Sequence, residues 1–154
     1  MNKRSFLKSL GLMAATGPLL SLDFAKENAN TTLLPKALLR GQTVGIISPS
    51  AASADRMEYT FAKEAMEAMG LKVKLGANFK NRYGHLAGTD EERAADFNAM
   101  FADPEVKAII CLRGGSGAAR ILPLIDYEQV KANPKPLLGY SDITALHCAL
   151  QLQP

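Results

Sequence analysis

The chain has 154 residues, 47% of them apolar and 21% charged, with a formal charge of +3. That length and apolar content suit one domain with a sizeable core, and the charge content excludes a disordered chain. Lys3, Arg4 and Lys8 against Asp23 put most of the excess charge in residues 1–25, so the remainder is near neutral and offers no electrostatic case for nucleic acid.

Residues 1–25 read as an export signal. A basic start precedes Leu10 to Leu22, a run without a charge, which is too short for a stable membrane span of ~20 residues and has the make-up of a secretory apolar region. Asn2-Lys3-Arg4-Ser5-Phe6-Leu7-Lys8 is twin-arginine-like, with Lys3 in place of the first arginine. General secretion is the alternative route. The bland alternative is a buried amphipathic helix in a cytoplasmic protein. The expected location is the periplasm or cell envelope. Residues 26–41 read as a polar linker, and residues 42–154 as the domain.

Strand and helix patterns then alternate. Thr43 to Ile47 is a short apolar strand that ends in Ser48-Pro49-Ser50. A helix from about Asp55 to Met69 is expected to turn Phe61, Ala62, Ala65, Met66 and Met69 to one face. Leu71 to Leu75 alternates lysine with apolar residues, as an edge strand does. After a polar loop, Thr89-Asp90-Glu91-Glu92 has capping-box spacing. Ala94, Phe97 and Phe101 follow at i, i+3 and i+7. Asp103-Pro104 stops that helix. Val106 to Leu112 is the most apolar strand, and Leu137 to Tyr140 is the last. Residues 43–47, 106–112 and 137–140 are expected to be the central strands. A final helix from Asp142 carries Ile143, Leu146, Cys148 and Leu150. The fold class is therefore α/β, with a doubly wound, mainly parallel, Rossmann-like sheet. Cys111 and Cys148 lie in apolar segments without metal spacing and read as reduced and buried. No metal or organic cofactor is implied.

Three loops leave strand C-termini, the edge where such folds bind ligands. They are Ser48-Pro49-Ser50, Arg113-Gly114-Gly115-Ser116-Gly117, and Ser141-Asp142. A serine on a sharp strand-to-helix turn presents its hydroxyl at the top of a sheet. Glycines at 114 and 115 let a backbone amide approach a substrate closely. Two blander readings stand beside this one. Asp142 could simply cap the last helix, and the glycine loop could be an anion site at a helix N-terminus. It is not a P-loop, because Gly-Lys-Ser/Thr is missing.

Three stretches in order resemble the LD-carboxypeptidase family of serine peptidases. They are Leu86-Ala87-Gly88-Thr89-Asp90-Glu91-Glu92-Arg93, the run from Arg113 to Pro123, and Gly139-Tyr140-Ser141-Asp142-Ile143-Thr144-Ala145-Leu146-His147. Family members cleave the amide between an L- and a D-amino acid in murein peptides and release terminal D-alanine during cell-wall recycling. A related branch gives immunity to a peptide-nucleotide antibiotic, a microcin. The resemblance implies an N-terminal domain of the class I glutamine-amidotransferase-like type. It implies Ser141 as the nucleophile, with the amides of Asp142 and Gly115 as the oxyanion hole. It also implies substrate contacts from Ser48, Pro49, Gly114 and Ser116, where relatives carry an aromatic residue in place of Ser116.

The family's triad is Ser-Glu-His, with the Glu and His in a C-terminal domain. The two histidines here do not replace them. His147 lies about 240° around a helix from Ser141 and faces away, and His85 sits in a polar loop, so neither meets a base's need for hydrogen-bond reach. The expectation is the N-terminal part of a two-domain enzyme, inactive as this isolated chain. Its expected partners are a murein peptide, the C-terminal domain and, for assembly, a second copy in a homodimer. The non-enzyme alternative is an exported α/β module that binds a ligand on the glycine-loop edge.

Overall fold

The computed structural model describes residues 34–152. The export-signal reading of residues 1–25 and the first part of the linker reading lie outside the described residues. Four strands form one parallel sheet: β1 (Thr43–Ile47), β2 (Lys72–Leu75), β3 (Val106–Cys111) and β4 (Leu137–Leu138). Their order is β2-β1-β3-β4, the doubly wound α/β arrangement expected from the alternating pattern. The chain leaves β1 towards one edge and leaves β3 towards the other. The crevice between β1 and β3 is therefore the topological switch point.

The central strands are the apolar ones. Val44, Ile46, Ile47, Val106 and Ile109 are buried, whereas Lys72 and Lys74 of β2 are exposed. β4 departs from expectation: it spans two residues and pairs only with β3, so it is the outer strand among the described residues. It ends early because the chain turns at once into a 3-10 turn, Ser141–Ile143, and Ile143 packs back against Gly139.

The helix α1 (Arg56–Ala68) starts at Asp55, whose side chain accepts from the amide of Met57. Of its expected apolar face, Ala62 and Met66 are half-buried, whereas Phe61, Ala65 and Met69 are exposed. Phe61 is 60% exposed and Met69 49%. The half-buried line is Tyr59, Ala62 and Met66, again at i, i+3 and i+7. The Tyr59 ring meets Phe79 edge-on at 4.8 Å, which fixes the helix's rotation and turns Phe61 outwards.

The helix α2 (Asp90–Ala102) has both hydrogen bonds of the capping box, from Thr89 and from Glu92. Ala94, Phe97 and Phe101 are buried in the main apolar cluster with Met100, Ile109, Ile121, Ile143 and Leu146. Burying an aromatic or branched side chain of this kind stabilises by roughly 1.5–3 kcal/mol, so this cluster fixes α2 and β3 beneath the site. A 3-10 helix (Ala118–Leu124), α3 (Tyr127–Ala132) and α4 (Thr144–Leu152) complete the described chain. Cys111 is buried as expected, but Cys148 is exposed, because α4 buries the line of Leu146 and Leu150 instead.

Candidate active site

The loops after β1, β3 and β4 meet at one edge of the sheet. Ser141 is the only non-glycine described residue with positive φ, at 58°. The left-handed region costs a residue with a Cβ roughly 1–2 kcal/mol. Such strain persists where the surrounding structure holds it, and it concentrates at functional turns. The turn is held from below by the buried Ile143 and Leu146. It leaves Ser141 exposed at the sheet edge.

The glycine loop lies directly against this serine. A Cβ on Gly114 would come within 2.8 Å of Ser141 Cβ and 3.2 Å of its Oγ. Gly115 has φ 139°, and a Cβ there would come within 2.4 Å of Ala51 Cβ. Both positions thus require glycine, one for close approach to Ser141 and one for its backbone and the first loop. Among the described residues, no backbone acceptor takes the amide of Gly115 or of Asp142. Both amides are thus without a backbone partner in the two loops that meet at Ser141.

The Asp142 carboxylate has a role that its position as a helix cap did not suggest. Its Oδ2 accepts from Ser50 Oγ at 2.6 Å and from the amide of Ala118 at 2.7 Å. One carboxylate thus ties together the loops after β1, β3 and β4. It also occupies the first amide of the 3-10 helix that follows the glycine loop. A foreign anion bound there would meet this carboxylate, which overturns the helix-N-terminal anion reading.

Arg93 does the same from beneath. It is 1% exposed, and its Nη1 donates to the carbonyls of Pro49 at 2.6 Å and Gly117 at 2.9 Å. Its Nη2 pairs with Asp90, which also accepts from Arg120 Nη2 at 2.9 Å. The first loop and the end of the glycine loop thus hang on one guanidinium.

The remaining expected contacts differ. Ser48 is 4% exposed and its hydroxyl has no partner among the described residues. Pro49 is also buried, and its carbonyl is taken by Arg93. Neither side chain is open to a ligand, because the loop folds down onto α2. Ser116 is exposed at the tip of the glycine loop. Ser50, not singled out from the sequence, is the residue of the first loop that reaches the site. His85 is exposed in its loop, and His147 is half-buried with an unpartnered Nε2. Burial pushes the Cys111 thiol up to about 12.

The Arg120 hydrogen bond, and then the charges of Arg120 and Arg93, hold the Asp90 carboxyl below its ordinary value of 3.8. A depressed carboxyl adds stability above its unfolded value and loses it as pH falls through the folded one. Wild-type stability should therefore drop below that ordinary value, and Asp90→Asn should flatten the drop. Urea unfolding at stepped acid pH reads this out, and equal slopes for the two proteins would count against it.

With this geometry in place, known proteins give a direct comparison. The profile of the LD-carboxypeptidase N-terminal domain matches residues 44–153. The chain belongs to the LD-carboxypeptidase family. It is 49% identical over 116 residues to a probable murein peptide carboxypeptidase of Bacillus subtilis, covering 75% of this chain and 36% of that one. It is 40% identical over 105 residues to a murein tetrapeptide carboxypeptidase of Pseudomonas aeruginosa, covering 67% and 34%. Among solved structures, the microcin C7 self-immunity protein MccF in complex with aspartyl sulfamoyl adenosine aligns with a TM-score of 0.71. Its identity is 34%, over 74% of this chain and 35% of that one. A muramoyltetrapeptide carboxypeptidase from Oxalobacter formigenes aligns at 0.65 with 29% identity, over 71% and 36%. The chain spans about a third of the length of these family members.

Proposed function

We propose that this chain is the nucleophile-bearing domain of a serine LD-carboxypeptidase that releases terminal D-alanine from murein peptides. The observation that carries the proposal is Ser141, exposed at φ 58° and packed against Gly114. In the reaction, Ser141 Oγ attacks the scissile carbonyl and its proton passes to a base. The carbonyl oxygen becomes an oxyanion facing the amides of Gly115 and Asp142. Collapse breaks the C–N bond, the amine of D-alanine leaves with a proton, and water then hydrolyses the serine ester. One oxyanion donor is worth about 3–4 kcal/mol of barrier. The base belongs to a C-terminal domain carrying the family's Glu and His, and residues 1–25 direct the protein to the cell envelope.

A second reading, a peptidase of the microcin-immunity branch, is favoured by the similarity to MccF. Release of D-alanine from a murein tetrapeptide decides between them. A two-domain protein carrying this sequence is expected to turn the tetrapeptide over, and the isolated 154-residue chain is expected not to. Turnover of a sulfamoyl-adenosine or peptide-nucleotide amide alone would move the assignment to the second reading. No hydrolysis of either class would remove both.

A further inference from the structure

Asp142 directly follows Ser141, the residue held at φ 58°, and its amide is one of the two donors that the proposed reaction needs. Its side chain bonds away from its own helix. A helix cap spends its oxygen on an amide of its own first turn. Here Oδ2 alone accepts two bonds from other loops, from Ser50 Oγ at 2.6 Å and from the Ala118 amide at 2.7 Å. Both partners adjoin the second donor, Gly115. Ala118 closes the glycine loop three residues after it. Ser50 is fully buried, and a Cβ on Gly115 would stand 3.3 Å from Ser50 Oγ. The Asp142 carboxylate makes no ion pair among the described residues. Its charge therefore serves hydrogen bonds to two neutral donors.

We propose that the Asp142 carboxylate is a positioning residue that fixes the amides of Asp142 and Gly115 relative to Ser141, a role that rests on the carboxypeptidase reading. An oxyanion donor contributes only when it is aimed beforehand at the place the oxygen will occupy. Misplacing a reacting group by about 1 Å costs on the order of 10²-fold in rate. The glycine loop is hard to hold in that way. Gly114, Gly115 and Gly117 are three of its five residues, and glycine has the most backbone freedom to lose. The bond from Ala118 anchors the loop's end, and the bond from Ser50 anchors the chain beside Gly115. The same oxygen also secures the residue next to the strained serine, which persists at its φ only while its surroundings hold it. Bonds to an ionised acceptor are roughly twice as strong as neutral ones, which is what a carboxylate adds here over an amide.

The test measures kcat and KM for D-alanine release from a murein tetrapeptide by the two-domain protein, at a temperature where every variant is folded. Asp142→Ala should lower kcat by about 10²-fold or more and move KM less than about threefold, because the amides act on the transition state. Asp142→Asn should restore kcat to within about tenfold of wild type, since its one carbonyl oxygen can accept both bonds as a neutral acceptor. Ser50→Ala keeps the Ala118 bond and should fall between Asp142→Ala and wild type. Phe101→Leu controls for stability alone. Phe101 is buried near the end of α2, just before β3 begins at the opposite edge of the sheet, so this variant should be less stable and keep wild-type kcat. In the 154-residue chain, the Gly115 amide resonance should move in Asp142→Ala and stay in place in Phe101→Leu. Unchanged kcat in Asp142→Ala, a change confined to KM, or an equal loss of kcat in Phe101→Leu would overturn the positioning role and leave the peptidase reading standing. No D-alanine release by the wild-type protein would overturn the peptidase reading and this catalytic role with it, and the Gly115 resonance would still report the brace.

Discussion

Replacing Ser141 by alanine is expected to lower D-alanine release by a two-domain enzyme on the order of 10⁴–10⁶-fold, the loss seen when a serine hydrolase loses its nucleophile. The same substitution should leave unfolding free energy within about 0.5 kcal/mol of wild type, because the serine hydroxyl makes no hydrogen bond among the described residues and the side chain is exposed. Ser141→Gly should be just as inactive but more stable than wild type. A Cβ at φ 58° is removed, and the gain should be about 0.5–1 kcal/mol once glycine's unfolded-state entropy is counted.

The pair of variants separates two ideas that a single knockout would merge. A dead alanine variant of unchanged stability speaks for the hydroxyl as the reacting group. A stabilised glycine variant speaks for strain that the fold carries in order to raise that hydroxyl. Urea unfolding and a D-alanine assay give both readouts. Retained activity in Ser141→Ala would remove the nucleophile assignment. A destabilised Ser141→Gly would show that the turn is not strained.

Local chemistry was legible in the sequence where it acts over a few residues. The Thr89–Glu92 capping box is a pattern of neighbours, and it is present with both hydrogen bonds. The apolar run of β3 and the lysine alternation of β2 each declare their burial residue by residue. Ser141 at a sharp turn was legible because a glycine, a serine and a helix start stand in sequence. The long-range contacts were not. Asp142 to Ser50 joins the loop after β4 to the loop after β1, across β3, and nothing within a turn of Asp142 distinguishes it from a helix cap. The rotation of α1 depends on Phe79, in another loop, so periodicity alone put Phe61 on the wrong face. The shortness of β4 follows from Ile143 packing back on Gly139, which no strand propensity encodes. Arg93 did leave a trace. It lies four residues before Phe97 on the buried face of α2 and three after Asp90. A charge there needs a partner in the interior.

That buried arginine carries the other large effect. Arg93→Ala should destabilise the domain by about 2–6 kcal/mol, the cost of stranding two buried acceptors at once. The variant leaves the Pro49 and Gly117 carbonyls without their donor, and each buried unsatisfied group costs about 1–3 kcal/mol. Asp90 keeps Arg120, so its charge is not stranded, which holds the loss within that range. The Nε of Arg93 has no partner among the described residues, which also keeps the native value below the sum of its bonds. Arg93→Lys should recover little, because an ammonium at the end of a flexible stem cannot hold two carbonyls and a carboxylate in the plane that a guanidinium fork provides. Asp90→Ala should cost less than Arg93→Ala, since Asp90 is 23% exposed and water can replace part of its bonding. Urea midpoints for the three variants order these effects. An Arg93→Ala protein within about 1 kcal/mol of wild type, or an Arg93→Lys protein equal to it, would mean that the two loops are held by their own packing and not by this guanidinium.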